Sequence, residues 1–296
     1  KAAFEWYVAL SDPAPDLPFG LFRGADPDLR RALRAMRDAS ASAGEPWRAG
    51  GGVPFAGLGP AARVWPIGLW HAEDADALIA AALDCALLTH ADVRAILGAV
   101  AMAAAVATLT TGVSKSSPAG RGTRIDAPAV AAQVAEIVAE AQRRLERRAL
   151  EEGLELRRSA VPFTAALESL PGLLGEGDDD LARRALLEEA NRHEPPHPIT
   201  SLNQPFAPVC VPAVLYRALA ARSPVEALAA VVGDGHDADT AGAMAGALLG
   251  ARFGAEAIPD EWRAGLRAAE AAAQRGEALA AGHKDYARWD ELYTVE

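Results

Sequence analysis

Residues 231–254 read VVGDGHDADTAGAMAGALLGARFG, an acidic turn that runs directly into an apolar, small-residue segment. Asp237, Asp239 and Thr240 place two carboxylates and a hydroxyl within four residues, at the expected start of a helix. In an extended turn, positions 237 and 239 can aim at one point, and Thr240 can add its oxygen. Oxygen donors of this kind suit a hard divalent cation such as Mg²⁺ or Mn²⁺ rather than zinc or copper. Gly233 and Gly235 let the backbone fold tightly there. The alternative reading is an aspartate-rich N-cap favoured by the helix dipole, with no ion involved. A calcium loop of the EF-hand type is excluded, because its ligand spacing is absent.

Behind the acidic turn, Gly242, Gly246, Gly250 and Gly254 recur every four residues, flanked by Ala243, Ala247 and Ala251. An interior glycine costs about 1 kcal/mol relative to alanine. The stripe therefore predicts close approach of a neighbouring helix. Membrane dimers use the same spacing, but this segment is short and closed by Arg252.

Outward from this stretch, helical periodicity dominates. The segment 28–37 carries Leu29, Leu33 and Met36 on one stripe. Further helices are expected at 75–88, 92–109, 180–190, 212–221, 225–232 and 259–276. Asp126, with Pro128 in the first turn, starts another that runs to about residue 150. Its second half, QRRLERRALEEGLELRR, is so charged that it is expected to project into solvent. The stretch 113–124 reads as a connector, and 191–198 as a loop, since Pro195-Pro196 forbid helix. There is no strand-like alternation longer than four residues and no internal repeat. The fold class is all-α: a single helical domain over 1–296, with a surface-exposed, divergent insertion at about 113–195.

Composition bounds the function. The chain is 51% hydrophobic and 23% charged, enough to bury a core and still dissolve. Few aromatics (6%) and abundant alanine favour close-packed helices. A net charge of −11 argues against nucleic acid or an anionic membrane as partner. Residues 95–113 approach membrane-span length, but their alanine, glycine and threonine content predicts a buried soluble helix. Cys85 and Cys210 show no C-x-x-C spacing and read as buried free thiols. No signal peptide is visible in KAAFEWYVAL, so the expected location is cytoplasmic. Phe4-Glu5-Trp6-Tyr7 already reads as amphipathic helix without a preceding Met, which predicts a truncated chain.

The combination G-x-D-x-D-T followed by A-G-x-x-A-G-x-x-x-G at 235–250 resembles the C-terminal metal motif of the ADP-ribosylglycohydrolase family. Ala257-Ile258-Pro259-Asp260-Glu261-Trp262 is similar to the segment that follows it. The resemblance implies a compact multi-helix orthogonal bundle with Asp237, Asp239 and Thr240 as metal ligands. It also places Gly235 and His236 against the ligand, with His236 a departure from the usual glycine or bulky residue. Residues 57–69 are similar to the family's G-N-G-A-x-M-R-x-x-P-x-G loop, which implies that Gly57, Gly59 and Ala61 border the ADP-ribose. Leu58 replaces the asparagine and Ala62 the methionine. Thr89-His90-Ala91-Asp92 is similar to the T-H-x-D turn, implying that His90 faces the ligand, with a hydrogen-bonded core imidazole as the alternative.

Pro15-Asp16-Leu17 resembles the segment whose aspartate lies near the scissile bond, making Asp16 the catalytic candidate. Pro18 stands where glycine is expected, and a plain turn aspartate is the other reading. The family's G-D-A-L-G and T-D-D-T motifs are absent. Asp178-Asp179-Asp180 reads as a loop and N-cap, and His193 and His197 as an exposed loop. The resemblance covers roughly 1–112 and 200–276. It implies a metal-dependent hydrolase of ADP-ribosyl linkages, using two Mg²⁺ or Mn²⁺ ions, acting on an ADP-ribosylated protein or small ADP-ribose conjugate. The alternative is a noncatalytic ADP-ribose-binding or structural member.

Overall fold

The computed structural model describes residues 31–32, 35, 52–116, 125–158, 160–192, 195–266 and 269–282. Within them the chain is all-α, with no strand beyond isolated bridges. In order the helices are α1 (Gly59–Arg63), α2 (Trp65–Trp70), α3 (Ala75–Leu87), α4 (Val93–Ser116), α5 (Ala127–Glu152) and α6 (Val161–Glu176). They continue with α7 (Asp179–Asn191), α8 (Ala207–Ala220), α9 (Pro224–Gly233), α10 (Ala238–Phe253), α11 (Asp260–Gly265) and α12 (Ala269–Ala280). Of the segment expected at 28–37, the described residues Arg31, Ala32 and Ala35 are helical.

Side-chain caps set several boundaries. Asp74, Asp126 and Ser223 each accept the backbone N–H three residues on, opening α3, α5 and α9. Asp178 accepts from Asp180 and Leu181 N–H groups and opens α7, the N-cap role expected for that acidic triplet.

Helix α4 is the axis of the core. Ile96, Leu97, Val100, Met102 and the alanines between 95 and 105 are 0% exposed. Helices α1, α2, α3, α5, α8 and α10 pack around it. Alanine on every face lets the neighbours approach closely. At Gly68 of α2 a Cβ would lie 2.4 Å from the Ala103 carbonyl oxygen, so only glycine fits that crossing. Val93–Gly112 is long and apolar enough to cross a membrane, yet 94% of that window is buried among its own helices.

Five expectations change. The stretch 125–192 is no surface appendage: Val134, Val138, Leu145, Phe163, Leu167, Leu170 and Leu186 all join the central core. The charged end of α5 lies on α3, with Arg144 paired to Asp76 and Arg148 to Asp84, because a narrow apolar stripe beneath the charges pulls it down. Helix α8 begins at Ala207 and continues through Pro212, which forfeits one backbone bond near the helix start. The segment 259–276 is two helices, because Leu266 is extended (φ −80°, ψ 129°). The glycine stripe also differs: a Cβ at Gly242 would come within 3.3 Å of the Val232 side chain, but one at Gly246 or Gly250 would meet nothing within 4 Å. Those two glycines instead line an apolar groove of about 210 Å³ with Leu228, Ile258 and Trp262.

Candidate functional site

The acidic turn is held from two sides. Gly235 (φ 68°) and His236 (φ 54°) both take left-handed conformations and swing the chain from α9 into α10. Asp234 ends α9 and accepts from Arg217 Nη2 (2.6 Å) and Arg183 Nη1 (3.3 Å). Arg183 comes from α7, so the region expected to be an insertion anchors the motif. On the other side Asn203, 1% exposed, donates through Nδ2 to the carbonyls of Val231 (2.6 Å) and Gly235 (3.2 Å). Its own carbonyl accepts from Asp237 N–H at 3.2 Å.

Asp237 occupies the N-cap position of α10 but makes no capping hydrogen bond to the backbone. Its Oδ1 instead accepts the Thr240 hydroxyl at 2.7 Å. Asp239, in the first turn, is exposed and has no ion-pair partner among the described residues. The N-cap reading alone does not account for this arrangement, since the backbone donors it was meant to satisfy are not used.

A second centre surrounds His90, which is 1% exposed. Arg63 Nη2 donates to Thr89 Oγ1 (2.6 Å) and to the Cys85 carbonyl (2.8 Å). Thr89 Oγ1 lies 2.8 Å from His90 Nδ1, so Arg63 and Thr89 fix the imidazole's orientation. Gly57 backs onto the ring: a Cβ there would come within 3.1 Å of His90 Nε2. The turn is clamped between two isolated bridges, Val53 with His90 and Asp92 with Arg157. Asp92, 0% exposed, pairs bidentately with Arg94 through bonds of 2.9 and 2.7 Å, and Arg94 in turn stacks on Phe206. A cavity of about 500 Å³ opens beside His90, bordered by Asp84, Cys85, Arg148 and Glu152.

The loop before α8 ties the two centres together. Ala207 N–H donates to the Ala56 carbonyl (2.8 Å), one residue from Gly57, while Asn203 holds Asp237. Helix α1 also packs against α10. The structure thus brings Asp237, Asp239 and Thr240 onto one turn and Gly57 and His90 into contact. Gly59 is partly exposed, whereas Ala61 is 1% and Leu58 3% exposed, both inside the core. Gly235 and His236 are exposed. None of the residues 235–240 borders the cavity beside His90. Asp16 lies outside the described residues.

Asn203, Arg63 and Thr89 are positioning residues: Asn203 lies outside the motifs, and Arg63 and Thr89 lie inside them without an expected role. The available signal for Asn203 was a polar side chain in a loop, TSLNQPF, leading into an otherwise buried helix.

A divalent cation fits the donors in part. The 2.7 Å between Asp237 Oδ1 and Thr240 Oγ1 is close to the ~3 Å that separates adjacent oxygens around octahedral Mg²⁺ with bonds of 2.0–2.1 Å. All donors are hard oxygens. Among the described residues, however, no group of three or more His, Cys, Asp or Glu side chains is clustered for metal binding.

The sequence model of the family described as ADP-ribosylglycohydrolase matches residues 3–289, including the stretch 113–195. Among solved structures the chain is similar to one described as "ADP-ribosylglycohydrolase-related protein complex", at 23% identity and a TM-score of 0.55. That alignment covers 94% of this chain and 70% of the other, and at this identity it speaks for the fold. A search of curated proteins gave no match.

Proposed function

The chain belongs to the ADP-ribosylglycohydrolase family, and on that premise we propose that it hydrolyses ADP-ribosyl glycosidic linkages, with Asp237, Asp239 and Thr240 contributing oxygens to a Mg²⁺ or Mn²⁺ site. The substrate class is an ADP-ribosylated protein or a small ADP-ribose conjugate. The observation that carries the reading is the first turn of α10, where Asp237 leaves the backbone uncapped and holds the Thr240 hydroxyl instead.

Glycosidic cleavage passes through an oxocarbenium-like state that nearby carboxylates stabilise. When bound, divalent cations supply orientation of the ribose hydroxyls and water and neutralise charge. Asp237 and Asp239 set negative charge where the sugar's positive charge develops. Thr240 fixes one oxygen of Asp237, which orients the other. His90, aligned through Thr89 and backed by Gly57, offers its imidazole to the ligand from a buried, preorganised position. Asp16 is assigned to assist the attacking water.

A noncatalytic, ADP-ribose-binding role is the second reading. It is favoured by Leu58, buried in the core at the asparagine position of the ligand loop. Incubation with ADP-ribosyl-arginine and ADP-ribosyl-serine substrates in Mg²⁺ or Mn²⁺, with release of ADP-ribose as the readout, separates the two. Release that is lost in Asp239→Asn supports hydrolysis. Binding of ADP-ribose with no release from any linkage replaces it with the second reading.

A further inference from the structure

Arg252, thirteen residues beyond Asp239 on α10 and so about 20 Å along the helix, is 6% exposed and has no carboxylate partner among the described residues. Its Nη1 donates to the carbonyls of Ala218 (2.7 Å) and Leu219 (2.9 Å), closing the end of α8. Its Cζ lies 4.6 Å from the centre of the Phe253 ring, which covers one face. The opposite edge is unused: Nε is buried without a partner, and Nη2 makes no hydrogen bond and is not fully enclosed. Nε and Nη2 form the side-on fork that receives two oxygens of one phosphate or carboxylate.

Arg252 borders a cavity of about 990 Å³ between α7, α8 and α9. Among its other cations, Arg183 and Arg217 are both committed to Asp234. Arg222, three residues past Leu219, is exposed and has no ion pair among the described residues. The carboxylates on the wall, Asp179, Asp180 and Glu226, are exposed to water, which screens them, whereas the buried Arg252 is not screened. Helix α8's last carbonyls explain Nη1 and leave the fork unexplained.

We propose that the Nε–Nη2 edge of Arg252, with Arg222 on the wall of the same cavity, binds a phosphate-bearing small molecule at a site separate from the first turn of α10. The cavity exceeds what one phosphate fills and has room for the group that carries it.

Calorimetric titration in EDTA at constant ionic strength tests this, with inorganic phosphate and ribose 5-phosphate as probes. Arg252→Lys loses the fork and should weaken binding about tenfold, the worth of a charge-assisted pair. Arg222→Ala removes a solvent-exposed charge and should weaken it about threefold. Tighter binding of the ester identifies an organic phosphate as the ligand, and equal binding identifies free phosphate. No heat with either probe, or wild-type affinity in either variant, overturns the proposal. Should Arg252→Lys fail to fold by circular dichroism, Arg222→Ala alone decides.

Discussion

Thr240 donates its hydroxyl to the Asp237 carboxylate across 2.7 Å, although Asp237 stands where it could have capped the helix backbone. The pairing makes a two-oxygen unit at the positive end of α10, with Asp239 one turn position away. Carboxylates at the same end of a helix repel, and the positive end of the helix dipole or a bound cation offsets that repulsion.

If a divalent cation does so, Mg²⁺ or Mn²⁺ raises the melting temperature by mass action, worth about 2.7 kcal/mol at 100 times Kd. Asp239→Asn should weaken that metal-dependent increment while keeping the helical circular dichroism. Identical wild-type melting curves in EDTA and in millimolar metal would sink the metal site.

Asn203→Ala removes the side chain that joins the last turn of α9 to the Gly235 carbonyl. The buried Val231 carbonyl and the part-buried Gly235 carbonyl each lose a hydrogen bond, a loss of about 1–3 kcal/mol. Because the Asn203 side chain also holds the Gly235 carbonyl, two residues before Asp237, the metal-dependent rise in melting temperature should shrink too. A variant destabilised equally with and without metal would show a purely structural role.

Two glycine-to-alanine changes should act in opposite directions. Gly68→Ala drives a methyl into the Ala103 carbonyl at 2.4 Å, and such overpacking costs about 1–3 kcal/mol or more. Gly246→Ala meets open space and should gain up to about 1 kcal/mol of helix propensity. Urea midpoints compare them, and a destabilised Gly246→Ala would mean that the groove is filled.

Tyr216 gives a pH signature. Burial pushes its hydroxyl up from 10.0 to about 12, reinforced by the hydrogen bond to Asp179 and that group's negative charge. The folded value exceeds the unfolded one, so this contribution is complete below pH 10 and fades as pH rises toward 12. Tyr216→Phe should be about 1 kcal/mol less stable near neutral pH and should lose less stability than wild type over the alkaline range. Parallel alkaline curves for the two proteins would refute the coupling.

Helices were the legible part of this chain. The all-round apolarity of 95–107 announced a core helix, and Asp126 and Asp178 announced their caps. The stretch 125–192 was misjudged because its charges outnumber the residues that matter. Ala131, Val134, Val138, Ala141 and Leu145 follow the three-four spacing of a buried stripe, and all are 2% exposed or less. The glycine stripe was over-read, since spacing says which residues share a face but not whether a neighbour covers it. At the site, motif residues were visible as chemistry. The positioning roles of Asn203, Arg63 and Thr89 were not, because they depend on which carbonyl or ring each side chain reaches.

The central position of α4 has a consequence for biosynthesis. Its later partners α5, α6, α8 and α10 are translated after it, and the last of them ends at Phe253. At 5–20 residues per second, the interval from Gly112 to Phe253 lasts about 7–30 s. Throughout it the nascent chain carries a segment as long and apolar as a membrane anchor with only part of its cover in place. Building that segment from alanine rather than leucine or isoleucine keeps its transfer into lipid weak. The same small side chains that let seven helices crowd one axis also leave the ribosome-bound chain time to finish folding before the translocation machinery or another exposed chain captures it.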